Sequence, residues 1–249
     1  MKVKTVLVSQ PKPVNENSPY FELAEKLKVT IDFRSFIHVE GVTPRDVRHQ
    51  KIDLKDFSAV ILTSRKAVDH YFRLAEEMRF EVPIEMKYFC LSEAVAYYLQ
   101  RYIVYRKRKI YVGERTIDDL AKVIKKHKTG KFLLPTSDKL KPAIPAKLDE
   151  IGIDWKRAVF YKTVVSDLSD LENVFYDILV FFSPSGIDSL FENFPDFKQN
   201  KTRIAVYGKT TKVAAEKAGL RCDIVVPTPE VPSMTLALEN YIKEANKRS

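Results

Sequence analysis

The chain has 249 residues, 45% of them hydrophobic and 30% charged, with a formal net charge of +9 at pH 7 and two cysteines. That length holds one large domain or two small ones, each with its own core, in a composition ordinary for globular proteins. It excludes a helical membrane span, for which ~18 uninterrupted apolar residues are needed, and it argues against a disulfide or zinc framework, because Cys90 and Cys222 stand apart in or beside predicted strands.

In chain order, "MKVKTVLVSQPKP" opens with a run of six residues, 5–10, before proline. The run is too short for a signal-peptide core, so a first strand and a cytoplasmic protein are expected. Strands are predicted near 3–8, 28–36, 58–63, 87–91, 109–113, 131–135, 155–165, 177–183, 202–208 and 222–226. Helical patterns such as "RKAVDHYFRLAEEM", "EAVAYYLQRYI", "TIDDLAKVIKKH" and "TTKVAAEKAGL" fill most of the gaps. This alternation predicts βαβ units, hence parallel sheets covered by helices on both faces. The lysines of "KVIKKHKTGK" and "YRKRK" read as solvated helix faces and strand starts, and no RNP motif, zinc finger or basic heptad supports a nucleic-acid module.

A repeat organises the chain. "ILTSRKAVDHYF" and "VFFSPSGIDSLF" align at an offset of 119 residues, with Ser64 over Ser183, Asp69 over Asp188 and Phe72 over Phe191. "KYFCLSEAVAYYL" and "RIAVYGKTTKVAA" extend the likeness, as do "KIYVGERTIDDLAKVI" and "CDIVVPTPEVPSMTLAL". Two copies predict two lobes. The segment before residue 35 is too small for a core of its own and joins the C-terminal third. The expected organisation is a discontinuous α/β lobe at 1–35 and 168–249, an inserted α/β lobe at 40–158, and linker strands at 36–39 and 159–167.

Such a protein has a cleft between its lobes, and in open α/β sheets ligands lie beyond the carboxyl ends of the strands. Those ends carry "TSRK", "LSEA", "GERT", "PTSDK", "SPSG", "GKTT" and "PTPE". Ser, Thr and Gly at helix starts either cap backbone N–H groups or leave them to bind anions with the helix dipole. Seven such corners point to a ligand with several negative groups. The candidate binding residues are Thr63, Ser64, Arg65, Ser92, Ser183, Ser185, Gly186, Lys209, Thr210, Thr211 and Thr228. A glutamate at Ser185 or Thr211 is expected to repel such a ligand with the fold intact. Tyr161, on the second crossing, is either a packed hinge tyrosine or a phenol directed at the cleft.

Other motifs fail on their spacing. "YGKTT" lacks a P-loop's first glycine, whose place is taken by Arg203; "SPSG" is no nucleophile elbow; no G-x-G-x-x-G follows a strand. His38, His49, His70 and His127 are dispersed and form neither a metal motif nor a triad, and Asp118 and Asp119 read as acidic residues opening a helix.

At its corners the sequence resembles the uroporphyrinogen-III synthase family. "VILTSRKAVDHYF", "AVFYKTV", "FFSPSGIDSLF", "IAVYGKTTKVAAEKAGL" and "VVPTPEVPSMTLAL" match the family's corners and return strand in order. The resemblance spans the chain and is strongest over 158–240. It implies an α/β fold of two similar HemD-like parallel-sheet lobes joined by a two-stranded linker, the middle lobe inserted into the first. It also implies cofactor-free cyclisation of hydroxymethylbilane, a linear tetrapyrrole with eight carboxylates, to uroporphyrinogen III with inversion of ring D. Tyr161 would then assist loss of the hydroxyl. The expected partners are this small molecule and, transiently, hydroxymethylbilane synthase, with no nucleic acid, no membrane and a monomeric state. The alternative from another class is a non-catalytic two-lobed binding protein for a tetrapyrrole or other small polyanion.

Overall fold

The computed structural model describes residues 2–104, 108–127 and 130–247; residues 105–107 of "YRKRK" and 128–129 of "KVIKKHKTGK" lie outside the described residues. The chain opens with β1 (Thr5–Val8), α1 (Pro19–Leu27), β2 (Thr30–Phe33) and β3 (Ile37–Gly41). Next come α2 (Pro44–His49), β4 (Ala59–Leu62), α3 (Arg65–Glu77), β5 (Lys87–Cys90), α4 (Glu93–Leu99) and β6 (Ile110–Val112). The central part closes with α5 (Ile117–Lys125), β7 (Lys131–Ser137), α6 (Ala143–Glu150) and β8 (Asp154–Val165). The C-terminal third adds β9 (Ile178–Phe181), α7 (Pro184–Asn193), β10 (Arg203–Tyr207), α8 (Lys209–Lys217), β11 (Cys222–Val226) and α9 (Met234–Lys247). The chain divides into two compact units, Met1–His38 with Val164–Ser249, and Val39–Thr163.

In the continuous unit, all four residues of β4 are buried, and their alternation divides them between two cores. Val60 and Leu62 pack with Ala67, Tyr71 and Leu74 of α3, while Ala59 and Ile61 pack with Leu120 and Ile124 of α5 and Leu148 of α6. A strand buried on both faces is what a parallel sheet between helical layers requires. The sheet order is β3-β8-β7-β4-β5-β6. The first crossing thus forms β3 beside β8, and β8 serves both as a strand of this sheet and as the return crossing.

The discontinuous unit repeats the scheme. Leu179 and Phe181 of β9 pack with Ile187 and Leu190 of α7, and Ile178 and Val180 pack with Leu23 of α1 and Leu238 of α9. Its order is β11-β10-β9-β1-β2, all parallel. Counted from β4 in one unit, and from β9 through the C-terminus to β1 and β2 in the other, both sheets share the order 3-2-1-4-5, to which the continuous unit's sheet adds β3 as a sixth strand beside β8. The N-terminus supplies the fourth and fifth strands of a sheet that the C-terminal third begins. Two polar clasps fasten it there. The buried Asp177 carboxylate accepts the N–H groups of Lys4 (2.7 Å) and Thr5 (3.0 Å), and the Asn246 amide bonds both the N–H and the carbonyl of Val3.

Strand order reverses between β4 and β7 in one unit and between β9 and β1 in the other. Such reversals leave a crevice at the carboxyl ends of the strands. The Ser64 and Ser183 corners sit there.

Candidate functional site

In the continuous unit, β4 runs out at Leu62 and Ser64 caps α3. Ser64 takes an extended backbone (φ −158°, ψ 164°), and its Oγ accepts the Ala67 N–H at 3.1 Å. One orphan donor of the helix start is thereby satisfied, leaving the N–H groups of Arg65 and Lys66 outside both cap and helix ladder.

Tyr161 reaches this corner from β8. A register shift between Thr136 and Ser137 pairs Ser137 with Tyr161, so β8 carries an extra residue there and bends. Arg157 pins the bulge, donating from Nε to Thr136 Oγ1 (3.0 Å) and from Nη2 to the carbonyls of Ser137 (2.9 Å) and Asp138 (2.8 Å). The Tyr161 hydroxyl then lies 3.3 Å from Ser64 Oγ. Its ring stacks on His70 of α3, with centroids 4.9 Å apart and planes inclined by 17°. His70 Nδ1 accepts from Arg73 Nε at 3.3 Å, and the Arg73 guanidinium also grips the Glu77 carboxylate (2.8 Å to each oxygen) and the Val42 carbonyl (2.9 Å).

The protonation states follow from these surroundings. Burial pushes the Tyr161 phenol above its ordinary value of 10.0, against a smaller opposing pull from the Ser64 hydrogen bond. The group is a proton-bearing donor at neutral pH. Burial, and after it the nearby Arg73 and Lys66, hold His70 below its ordinary value of 6.5. A neutral imidazole whose Nδ1 accepts from arginine carries its proton on Nε2.

The other candidates in this unit are tied differently. Arg65 is exposed at the helix start, but its guanidinium lies over the Tyr98 ring at 5.5 Å. Asp69 accepts hydrogen bonds from Tyr98 (2.7 Å) and Tyr102 (2.8 Å). Thr63 is half-buried beside Ser64. Ser92 precedes the short α4 in extended conformation and its hydroxyl makes no capping bond.

In the discontinuous unit the cap of the first corner is repeated position for position. Ser183 is extended (φ −151°, ψ 154°) and its Oγ accepts the Gly186 N–H at 3.3 Å, so cap and capped amide both stand 119 residues beyond Ser64 and Ala67. Pro184 occupies the first helical position, where its missing N–H costs nothing. A Cβ on Gly186 would sit 3.3 Å from the Phe181 ring and 3.7 Å from Ser9 Oγ, so glycine brings α7 close to the ends of β9 and β1. Ser9 is buried and donates its N–H to the Val180 carbonyl at 3.0 Å. It belongs to this crevice although no motif singled it out; a serine directly after the first apolar strand was the available signal. Ser185 is half-buried on the first turn of α7.

The second corner is built on Gly208, at φ 86° and ψ 152°, which has no side chain to cap α8. The first-turn N–H groups of α8 therefore carry the positive end of the helix dipole uncapped, an arrangement suited to anions. Lys209 and Thr210 are exposed there, but Thr211 is 1% exposed and packs inward. This corrects the expectation that glutamate at Thr211 leaves the fold intact: a carboxylate would enter the core. Thr228 closes a tight turn, exchanging backbone hydrogen bonds with Val231 and accepting the Val231 N–H on Oγ1 at 3.1 Å.

Ser64 and Tyr161 thus come together in one unit, with His70 and Arg73 added. Ser183 and Gly186 come together in the other, with Ser9 added.

The family model described as uroporphyrinogen-III synthase HemD matches residues 18–235. Uroporphyrinogen-III synthase of Saccharomyces cerevisiae is 30% identical over 141 residues, 50% of this chain and 50% of the yeast protein, so the match spans about half the length of that curated relative. Among solved structures, the uroporphyrinogen-III synthetase of Helicobacter pylori aligns with a TM-score of 0.61 at 17% identity, covering 97% of this chain and 100% of that one. A mutant uroporphyrinogen III synthase of Thermus thermophilus aligns with a TM-score of 0.54 at 16% identity over 99% and 100%. The two structures carry the fold, and the family model spans most of the chain: this protein belongs to the uroporphyrinogen-III synthase family.

Proposed function

We propose that the protein is a uroporphyrinogen-III synthase, closing hydroxymethylbilane to uroporphyrinogen III with ring D inverted. The observation that carries the reading, beside family membership, is the protonated Tyr161 phenol held 3.3 Å from Ser64 at the strand-order reversal. The bilane loses its hydroxyl as the electron-rich pyrrole pushes electrons toward the breaking C–O bond. Hydroxide leaves poorly, and a phenol that protonates that oxygen lets it depart as water; the proton that the terminal pyrrole carbon sheds on rearomatising after the new C–C bond forms restores the phenol. General acid assistance of this kind contributes about 10²–10⁴-fold where it operates fully; with the pyrrole already driving departure, Tyr161 assists and is not indispensable.

The remaining work is orientation. The substrate is long and flexible, and its ends must meet in one pose. Within the continuous unit the Arg65 and Lys66 amides suit a carboxylate, and within the discontinuous unit the first turn of α8 with Lys209 and Thr210, and the Ser183–Ser185 corner, do so as well. Each charge-assisted contact contributes roughly 1.5–3 kcal/mol where water is excluded.

Tyr161→Phe tests the reading. It removes the donor and keeps the ring, so the variant should fold normally, bind product nearly as well, and form isomer III severalfold more slowly. Wild-type turnover in Tyr161→Phe would reduce Tyr161 to a packing residue.

A further inference from the structure

We propose that His70 is a positioning residue for Tyr161, and that Arg73 holds His70 in the one tautomer and orientation in which it serves; this rests on the reading of Tyr161 given above. A tyrosine ring beside the bulge within β8 has freedom about its side-chain bonds, and a single 3.3 Å hydrogen bond to Ser64 fixes only the oxygen. The imidazole supplies the missing constraint, a second ring stacked at 4.9 Å and 17°. With one face of the phenol ring covered and its oxygen tethered, rotation that would swing the donor away from the corner is restricted. Donor placement matters steeply, since about 1 Å of misplacement can cost on the order of 10²-fold in rate.

The imidazole is itself held. Arg73 Nε donates to Nδ1, while the rest of the guanidinium is fixed by Glu77 and by the Val42 carbonyl. Gly41 makes room for it: a Cβ there would lie 2.5 Å from Arg73 Nη2. Held by the Glu77 carboxylate and the Val42 carbonyl, the guanidinium is restrained from turning away from Nδ1. When His70 takes a second proton, Nδ1 becomes a donor facing a donor, and the bond that orients the ring is lost. The charged groups acting on His70 from its own helix are Lys66 and Arg73, which oppose that proton, and Asp69 and Glu77, which favour it; from β8 the group facing it is the Tyr161 phenol. Burial is the largest of these influences and, with Arg73 and Lys66 acting in the same direction, holds the ring below its ordinary 6.5, so it is neutral at neutral pH.

The spacing was visible in the sequence: Lys66, His70, Arg73 and Glu77 recur at the three- and four-residue steps of one helix face. What the sequence could not show was the tyrosine placed against that face from β8.

The test is the pH dependence of isomer III formation from preformed hydroxymethylbilane, with spontaneously formed isomer I subtracted, for the wild type, His70→Ala, His70→Phe, Tyr161→Phe and the Tyr161→Phe/His70→Ala double variant. Folding of each is checked by circular dichroism. Wild-type kcat should show an acid limb with its midpoint below 6.5. His70→Ala should lose about fivefold or more in kcat with KM nearly unchanged, as expected for displacement of a donor rather than loss of a binding group. His70→Phe restores a flat ring that does not titrate, so it should regain much of the lost kcat and lack the acid limb; if His70→Ala fails to fold, this variant carries the test. In the Tyr161→Phe background His70→Ala should add no further loss. Wild-type kcat in His70→Ala, an acid limb surviving in His70→Phe, or an equal loss in both backgrounds would overturn the inference while leaving Tyr161 standing. Full activity in Tyr161→Phe would instead remove the reading on which it depends.

Discussion

Thr210 and Thr211 are neighbours with opposite fates. Thr210 is exposed on the first turn of α8, whereas the Thr211 side chain enters the core. Charge reversal separates the two environments. Lys209→Glu should keep the melting temperature and weaken product binding, with a smaller dependence on salt than the wild type, because one favourable charge is replaced by a repulsive one. Thr211→Glu should instead destabilise the protein by on the order of 3 kcal/mol or more, the cost of an unpaired buried carboxylate. Equilibrium denaturation with a product titration distinguishes them, and unaltered binding in Lys209→Glu would remove this corner from the site. Cys90 shows the same dependence on surroundings. It is fully buried at the end of β5, and burial pushes its thiol up to about 12. No thiolate forms near neutral pH, so iodoacetamide at pH 8 should spare Cys90 in the folded protein and modify it once denaturant is added. Rapid native labelling of Cys90 would contradict its burial. Identity at such positions was legible in the sequence, but orientation was not: "GKTT" reads as three equivalent corner residues until a helix phase is known.

At the scale of elements, four of the corners fall into two kinds. Ser64 and Ser183 cap their own helices, while Ser92 and Gly208 make no side-chain cap. Ser64→Ala and Ser183→Ala should each cost about 1 kcal/mol of stability, and Ser92→Ala clearly less. Equal losses at all three would mean that the hydroxyls are not acting as caps. Gly208→Ala meets no steric neighbour within 4 Å, so its cost, about 1–3 kcal/mol, should come from forcing a side chain into a backbone region that only glycine populates freely. The repeat read from "ILTSRKAVDHYF" and "VFFSPSGIDSLF" was legible because it lies in contiguous sequence: β4 and β9, and the first residues of α3 and α7, all coincide at the offset of 119 residues. The bulge between β7 and β8 was not legible. It arises from a register shift between strands, stabilised by Arg157, and neither strand alone encodes it. Ser9 and His70 were missed for the same reason, since each is defined by a contact with a distant segment.

Over the whole molecule, the chain's path sets how folding and function can be tested. The unit at Val39–Thr163 is continuous and has cores on both faces of its sheet, so as an isolated fragment it should unfold cooperatively. Residues 164–249 alone should not, because β1 fills the place beside β9 and the Asp177 and Asn246 clasps need the N-terminal strand. A fragment of 39–163 without a cooperative transition would contradict this division. The net charge of +9 predicts that affinity for an eight-carboxylate ligand falls as salt is added. Among the described residues no helix is long and apolar enough to cross a membrane. The alternation of strands and helices, the inserted middle segment and the family resemblance are all readable in the sequence, since each is a pattern along the chain. The proposed reaction is tested by supplying the purified protein with preformed hydroxymethylbilane, oxidising the products and separating the porphyrin isomers. Uroporphyrin III in excess over the spontaneous isomer I is the predicted result; isomer I alone, from protein shown to be folded, would contradict it and leave a binding protein in its place.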